Sequence, residues 1–265
     1  MRLDPSAFDF FESNGAVLIK GLFTDWVDTI RTGIEKNMAE PGPYASENLG
    51  PGESGRFFDD YCNWGRIPEF EEVIRCSGVG KVAAQIMRSQ QVQIFHDHVL
   101  VKEGSTSKAT PWHQDSPYYF VEGEQTVSLW SPMEPVREAS LRCVAGSHLW
   151  EKPVLPTRWL TEKDFYPNTD QYMPVPDPDA AGSKLRILEW DMEPGDAVAF
   201  HFKTLHGARG NLSDSRRRAF SLRFLGDDAH YVSRPGPTSP PFPNHGMVDG
   251  QRLRKDWFPI IYPEQ

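Results

Sequence analysis

The sequence predicts a mainly β protein with flanking helices, of the sandwich or jelly-roll type. Three observations carry that expectation. Helical periodicity is confined to the part of the chain before residue 90. Beyond it comes a series of short runs rich in β-branched and apolar residues, separated by Gly, Pro, Asn and Asp. No internal repeat or low-complexity linker divides the 265 residues, so a single domain over 1–265 is expected.

The elements follow in order. Asp4-Pro5 reads as an N-cap with proline at the first helical position; Phe8 and Phe11, with Leu3, form a short apolar stripe that Asn14-Gly15 ends. The run AVLIKGLF (16–23) has the length of a strand, and Thr24 is placed to cap a helix through Trp26, Ile30 and Ile34. Residues 42–66 lack a period and read as a long loop of functional type. Pro68 opens the clearest helix, with Phe70, Val73, Ile74, Val79, Val82, Ala83, Ile86 and Met87 on one face. Strand candidates then fall at 91–102, 125–134, 140–146, 184–190, 196–202 and 218–226, with a proline-rich insertion at 151–183. The proline-rich tail 234–245 cannot be a central strand, because proline has no N–H for the ladder.

Composition excludes several classes. Apolar residues are 38% and charged residues 25%, as in soluble globular proteins. The formal charge of −9 disfavours a nucleic-acid binder, which needs a basic footprint. The three cysteines, Cys62, Cys76 and Cys143, form no CxxC and fit a reducing cytoplasm better than a disulfide framework. The N-terminus has no apolar signal-peptide core, and no run of apolar residues is long enough to span a membrane. The glycines form neither a P-loop nor a dinucleotide fingerprint, and no nucleophile elbow occurs.

Chemistry is concentrated in the histidines. Of eight, only His113 begins an H-x-D/E triplet, His113-Gln114-Asp115. On an extended segment, residues two apart share a face, so imidazole and carboxylate would converge. A further histidine would complete a two-His-one-carboxylate face with open positions, the arrangement of non-haem Fe(II) oxygenases. The stretch from Glu193 to Phe224 offers His201, in a strand, and His206, at its exit. Eleven residues past His206, Arg217 opens the strand RAFSLRF; aimed inward, it suits the carboxylate of a dicarboxylic cosubstrate such as 2-oxoglutarate. Arg216 and Arg218 read as a solvated basic edge. His96 and His98 form an H-x-H pair that a cupin-type metal site could use. Tyr118, Tyr119 and Phe120 either line a pocket or pack in the core.

TPWHQDSPYY (110–119), GSH (146–148), PGDAVAFH…LHGA…N and the late RRA, in order between residues 92 and 225, resemble the phytanoyl-CoA dioxygenase family of Fe(II)/2-oxoglutarate oxygenases. The resemblance implies a double-stranded β-helix with helices outside, Fe(II), 2-oxoglutarate and O2 as reactants, and hydroxylation of a small organic molecule. It places the metal ligands at His113, Asp115 and His206, the far-carboxylate arginine at Arg217, and further cosubstrate contacts at Trp130 and His98. Family members often carry serine two residues past the distal histidine; Ala208 stands there and offers no hydroxyl. Halogenating relatives have a small residue where Asp115 stands, so hydroxylation is the expected outcome. The other expectation is a cupin-type isomerase or sensor that does not use 2-oxoglutarate. Arg56, Lys102 and Arg142 are candidates for local positive charge; no substrate and no oligomeric state is legible.

Overall fold

The structure, a computed structural model, describes residues 3–137, 141–161, 163–167 and 170–263. Helix α1 (Pro5–Asn14) starts as expected, with Asp4 accepting from the Ser6 amide, and ends at Gly15, whose φ of 76° lies in the left-handed region. Strand β1 (Ala16–Ile19) stops short of the expected end at residue 23, since the chain turns at Gly21 (φ 66°). Thr24 makes no cap: it lies inside a single 3-10 turn, Thr24–Trp26, that leads into α2 (Val27–Ala39).

The segment read as a loop contains two strands, β2 (Ser46–Glu47) and β3 (Phe57–Tyr61). Aspartate is a poor strand former, and FFDDY therefore gives a weak signal. Both aspartates are satisfied. Asp60 accepts from the Asn37 side chain and the Gly42 amide, each at 2.7 Å, while Asp59 meets His98 on the opposite face. The expected long helix is two, α3 (Pro68–Cys76) and α4 (Val79–Met87), broken at Gly78 (φ 75°). Buried residues continue on the same side across the break, which is why the periodic pattern hides it.

The remaining strands are β4 (Val92–Lys102), β5 (Thr110–His113), β6 (Val121–Glu122), β7 (Thr126–Pro132), β8 (Leu141–Val144), β9 (Ile187–Leu188), β10 (Ala197–Phe200), β11 (His206–Ala208), β12 (Arg217–Leu225), β13 (His230–Tyr231) and β14 (Ile260–Tyr262). Ser140, the expected start of β8, lies outside the described residues. The major sheet has the order β1-β10-β7-β12-β4-β3-β2, with β14 also on β4, and the minor sheet β5-β11-β8-β9; all their pairings are antiparallel. The insertion after residue 150 is largely irregular, as expected.

Alternation along the strands separates two faces of the major sheet. Phe220, Leu222 and Phe224 of β12 and Val127 and Leu129 of β7 join the helices in the largest apolar cluster. The intervening residues, Arg217, Ser221 and Arg223, and Ser128 and Trp130, take the other side. In β4 the register shifts opposite Arg223/Phe224, so Ile94 and Val99 both face the helices although five residues apart. His96, His98, Leu100 and Lys102 thereby share the inner face. Phe220 is 1% exposed and its ring lies 4.5 Å from that of Phe70. Phe220→Ala is expected to cost about 3–5 kcal/mol, read as a lowered midpoint in chemical denaturation.

No helix among the described residues is long and apolar enough to cross a membrane, and all three cysteines are unpaired.

Candidate metal centre

Strands β5 and β11 run antiparallel with His113 directly opposite His206, and the two rings lie 4.1 Å apart. Each ring is fixed by its own backbone. His113 Nδ1 lies 2.8 Å from the Pro111 carbonyl, and His206 Nδ1 lies 2.9 Å from that of Thr204. A carbonyl only accepts, so both Nδ1 atoms carry the proton and both Nε2 atoms present a lone pair to the site.

Asp115 reaches the same point by a different route from the expected one. Strand β5 ends at His113, and Asp115 has helical backbone angles (φ −69°, ψ −43°) at the head of a 3-10 turn, Ser116–Tyr118. The turn, not an extended i, i+2 geometry, swings its carboxylate inward. Asp115 Oδ1 lies 3.7 Å from His113 Nε2 and 3.8 Å from His206 Nε2. Among the described residues, His113, Asp115 and His206 form the group suited to hold a cation, their ligand atoms within 4.8 Å of one another.

Electrostatics favours the metal-binding protonation states. Burial, reinforced by His206, pushes His113 down to about 3. Burial also lowers His206, against the opposing pull of Asp115. For Asp115 burial works against ionisation, but Arg223, the two imidazoles and a hydrogen bond from Ser128 outweigh it and hold the carboxyl below its usual range. Protons therefore compete weakly with a cation. Mn(II) affinity should change less than about threefold between about pH 7.5 and pH 6 in calorimetric titration, where two ordinary histidines would lose roughly tenfold as they protonate.

The three residues line a cavity of about 520 Å3 between the sheets, within the usual range for small-molecule sites. His98, Trp130 and Arg217 line it too, so all six candidate site residues of the sequence meet there, with Ala208 also in the wall. Arg217 is buried on β12 opposite Lys102, with its guanidinium 5.8 Å from the Trp130 ring; burial, opposed by Glu134, lowers it to about 10, still charged at neutral pH. His98 Nε2 is 2.9 Å from Asp59 Oδ2, and Tyr61 stands edge-on to its ring.

The other expectations sort themselves. His201 accepts from the Lys203 amide through Nδ1 and meets the Glu124 carbonyl through Nε2, so its ring is committed elsewhere. His148 meets the Glu12 carbonyl. His96 and His98 share the inner face but belong to no three-ligand group among the described residues. Arg216 pairs with Glu103 and Glu35, and Arg218 with Glu134 and Glu35. Arg56 pairs with Glu47 and Arg142 with Asp179. Lys102 is buried, its Nζ 4.4 Å from the Phe57 ring, and burial lowers it to about 6, so it adds little charge at neutral pH. Tyr118 and Tyr119 line the cavity, whereas Phe120 packs among Phe95, Tyr231 and Phe258.

Sequence reasoning missed Arg223, Ser128 and Trp159. Arg223 had a usable signal: it lies six residues after Arg217 on one strand and so shares its face. Trp159 had none. It sits in the proline-rich insertion, edge-on to His113 at 5.0 Å, and Tyr118 anchors that segment by donating to the Thr157 carbonyl at 2.6 Å.

Two antiparallel sheets enclosing a cavity, with helices outside the larger, define a double-stranded β-helix of the jelly-roll, cupin-like class. Within that class the chain belongs to the phytanoyl-CoA dioxygenase (PhyH) family, whose sequence pattern matches residues 11–219. A probable phytanoyl-CoA dioxygenase of Caenorhabditis elegans is 27% identical over 180 residues, covering 64% of this chain and 55% of that protein. The peroxisomal phytanoyl-CoA dioxygenase of Bos taurus is 25% identical over 187 residues, 66% of this chain and 48% of its own length. The human peroxisomal enzyme is 24% identical over 258 residues, 86% of this chain and 70% of its own. The chain thus spans about half the length of the first two relatives. In structure it is similar to the non-haem α-ketoglutarate-dependent carbocyclase SnoK from nogalamycin biosynthesis (TM-score 0.73, 23% identity, 97% and 96% of the two chains). It is likewise similar to the epimerase SnoN in complex with Fe3+, α-ketoglutarate and nogalamycin RO (TM-score 0.74, 19% identity, 97% and 100%). At these identities the likeness speaks for the fold.

Proposed function

We propose that the chain, acting as one domain, is an Fe(II)- and 2-oxoglutarate-dependent dioxygenase that hydroxylates an aliphatic C–H of a small organic molecule, with His113, Asp115 and His206 as metal ligands. The observation that carries the reading is the protonation pattern of the triad: two histidines with Nδ1 tied to backbone carbonyls and Nε2 bare, facing one carboxylate oxygen. That donor set fits Fe(II) and leaves positions open for a chelating cosubstrate. Family membership supports it, as do the Fe3+ and α-ketoglutarate held by the similar SnoN.

Bound iron and 2-oxoglutarate would supply the oxidising chemistry: O2, 2-oxoglutarate and a C–H substrate give succinate, CO2 and the alcohol. The chain's own residues supply the rest. Arg217 binds the far carboxylate of the cosubstrate, their mutual attraction strengthened in a buried, water-poor site. Trp130 gives that region a flat wall against the guanidinium, and His98, fixed by Asp59, gives it a polar one. Trp159 and Tyr118 stand edge-on to His113 and give the cavity an aromatic wall beside it. A cupin-type isomerase or sensor needs no buried cation beside its metal, so Arg217 is the residue that separates the two readings.

Anaerobic addition of Fe(II) and 2-oxoglutarate tests this. The oxygenase reading expects a weak visible charge-transfer band that requires both components. Its absence at saturating concentrations overturns the reading. Product analysis across candidate substrates then separates hydroxylation from the other outcomes on this fold.

A further inference from the structure

The two oxygens of Asp115 have different surroundings. Oδ1 faces both Nε2 atoms. Oδ2 has other partners: it accepts from the Ser128 hydroxyl at 2.9 Å, and the Arg223 Nε lies 3.6 Å from it. Arg223 Nε also donates to the Tyr119 hydroxyl at 3.2 Å, and Asp115 lies close enough to Tyr119 to oppose ionisation of its phenol. Arg223 and Ser128 are cross-strand partners on β12 and β7, both on the inner face, and every side chain in the group is buried. A buried guanidinium needs a counter-charge; Asp115 is the carboxylate in ion-pair range, and buried Asp97 adds to it from farther off.

We propose that Arg223, assisted by Ser128, is a positioning residue that commits Oδ2 of Asp115 to the protein, so that Oδ1 alone is offered to a metal. Carboxylates bind cations through one oxygen or two, and the second mode consumes a position that a chelating cosubstrate needs. Arg223 also balances the negative charge of Asp115. Its two effects on ligands are opposite in sign: a fixed positive charge weakens a nearby cation and strengthens a nearby dianion. The cosubstrate half of this proposal rests on the oxygenase reading; the Asp115 half does not.

The test compares wild type, Arg223→Met and Arg223→Lys for Mn(II) affinity and, in the Mn(II)-loaded protein, for 2-oxoglutarate affinity. Expected for Arg223→Met is Mn(II) binding equal to or tighter than wild type, with 2-oxoglutarate binding about tenfold weaker, and recovery of most of that loss in Arg223→Lys. A parallel fall in both affinities marks a merely structural role and overturns the proposal, as does no change in either. Infrared difference spectra of wild-type protein carrying 13C-carboxylate aspartate, recorded on Mn(II) addition, need no variant to fold. A carboxylate splitting wider than in the metal-free protein supports one-oxygen binding, and a narrower one overturns it. Wild-type protein that binds Mn(II) with the wide splitting but takes no 2-oxoglutarate would sink the oxygenase reading and leave the role of Arg223 toward Asp115 standing.

Discussion

Asp115→Ala should abolish 2-oxoglutarate-dependent succinate formation and lower Mn(II) affinity by two to three orders of magnitude. Two losses combine. The site loses its anionic ligand, leaving two neutral imidazoles that hold a hard divalent cation poorly. It also exposes the incoming cation to Arg223, whose buried charge has lost its partner; breaking such a pair costs about 3–5 kcal/mol. The fold should survive, because Asp115 sits at the head of a short turn and is not part of the apolar clusters. Circular dichroism and succinate release on the same sample check this. A folded variant with wild-type turnover would remove Asp115 from the ligand set.

Arg217→Ala should raise the 2-oxoglutarate concentration needed for half-maximal turnover by a factor of about 30 or more, from the roughly 2–5 kcal/mol lost when a buried charge loses its partner. Metal affinity should hardly move, since Arg217 lies six residues along β12 from the Arg223 that faces Asp115. Arg217→Lys should recover only part of the loss, because an ammonium cannot reproduce two parallel hydrogen bonds. Steady-state kinetics in 2-oxoglutarate, with Mn(II) binding as the control, separates this from general damage. An unchanged requirement would move the cosubstrate elsewhere and restore the isomerase or sensor alternative.

Much of this was legible in the chain because the site is built on strands whose face is set by parity. His113, Asp115 and Arg217 were singled out by residue type and spacing, His206 by the family resemblance, and the four line one cavity. The reason first given for His113 and Asp115 converging was incorrect, since β5 ends between them and a turn does the work. Choosing His206 over His201 needed the family resemblance, because nothing local distinguishes a strand imidazole whose ring atoms will be spent on Lys203 and Glu124. What stayed hidden was whatever depends on contacts distant in sequence. FFDDY reads as loop until Asn37, Gly42 and His98 arrive to satisfy its aspartates. Trp159 gives no sign in its proline-rich surroundings that it will lie against His113.

Diffraction at the iron absorption edge from crystals grown anaerobically with Fe(II) and 2-oxoglutarate tests the central claim most directly. The account predicts one anomalous peak bounded by His113 Nε2, Asp115 Oδ1 and His206 Nε2, with a 2-oxoglutarate carboxylate against Arg217. Iron held instead by His96 and His98, or a cosubstrate bound away from Arg217, would contradict it.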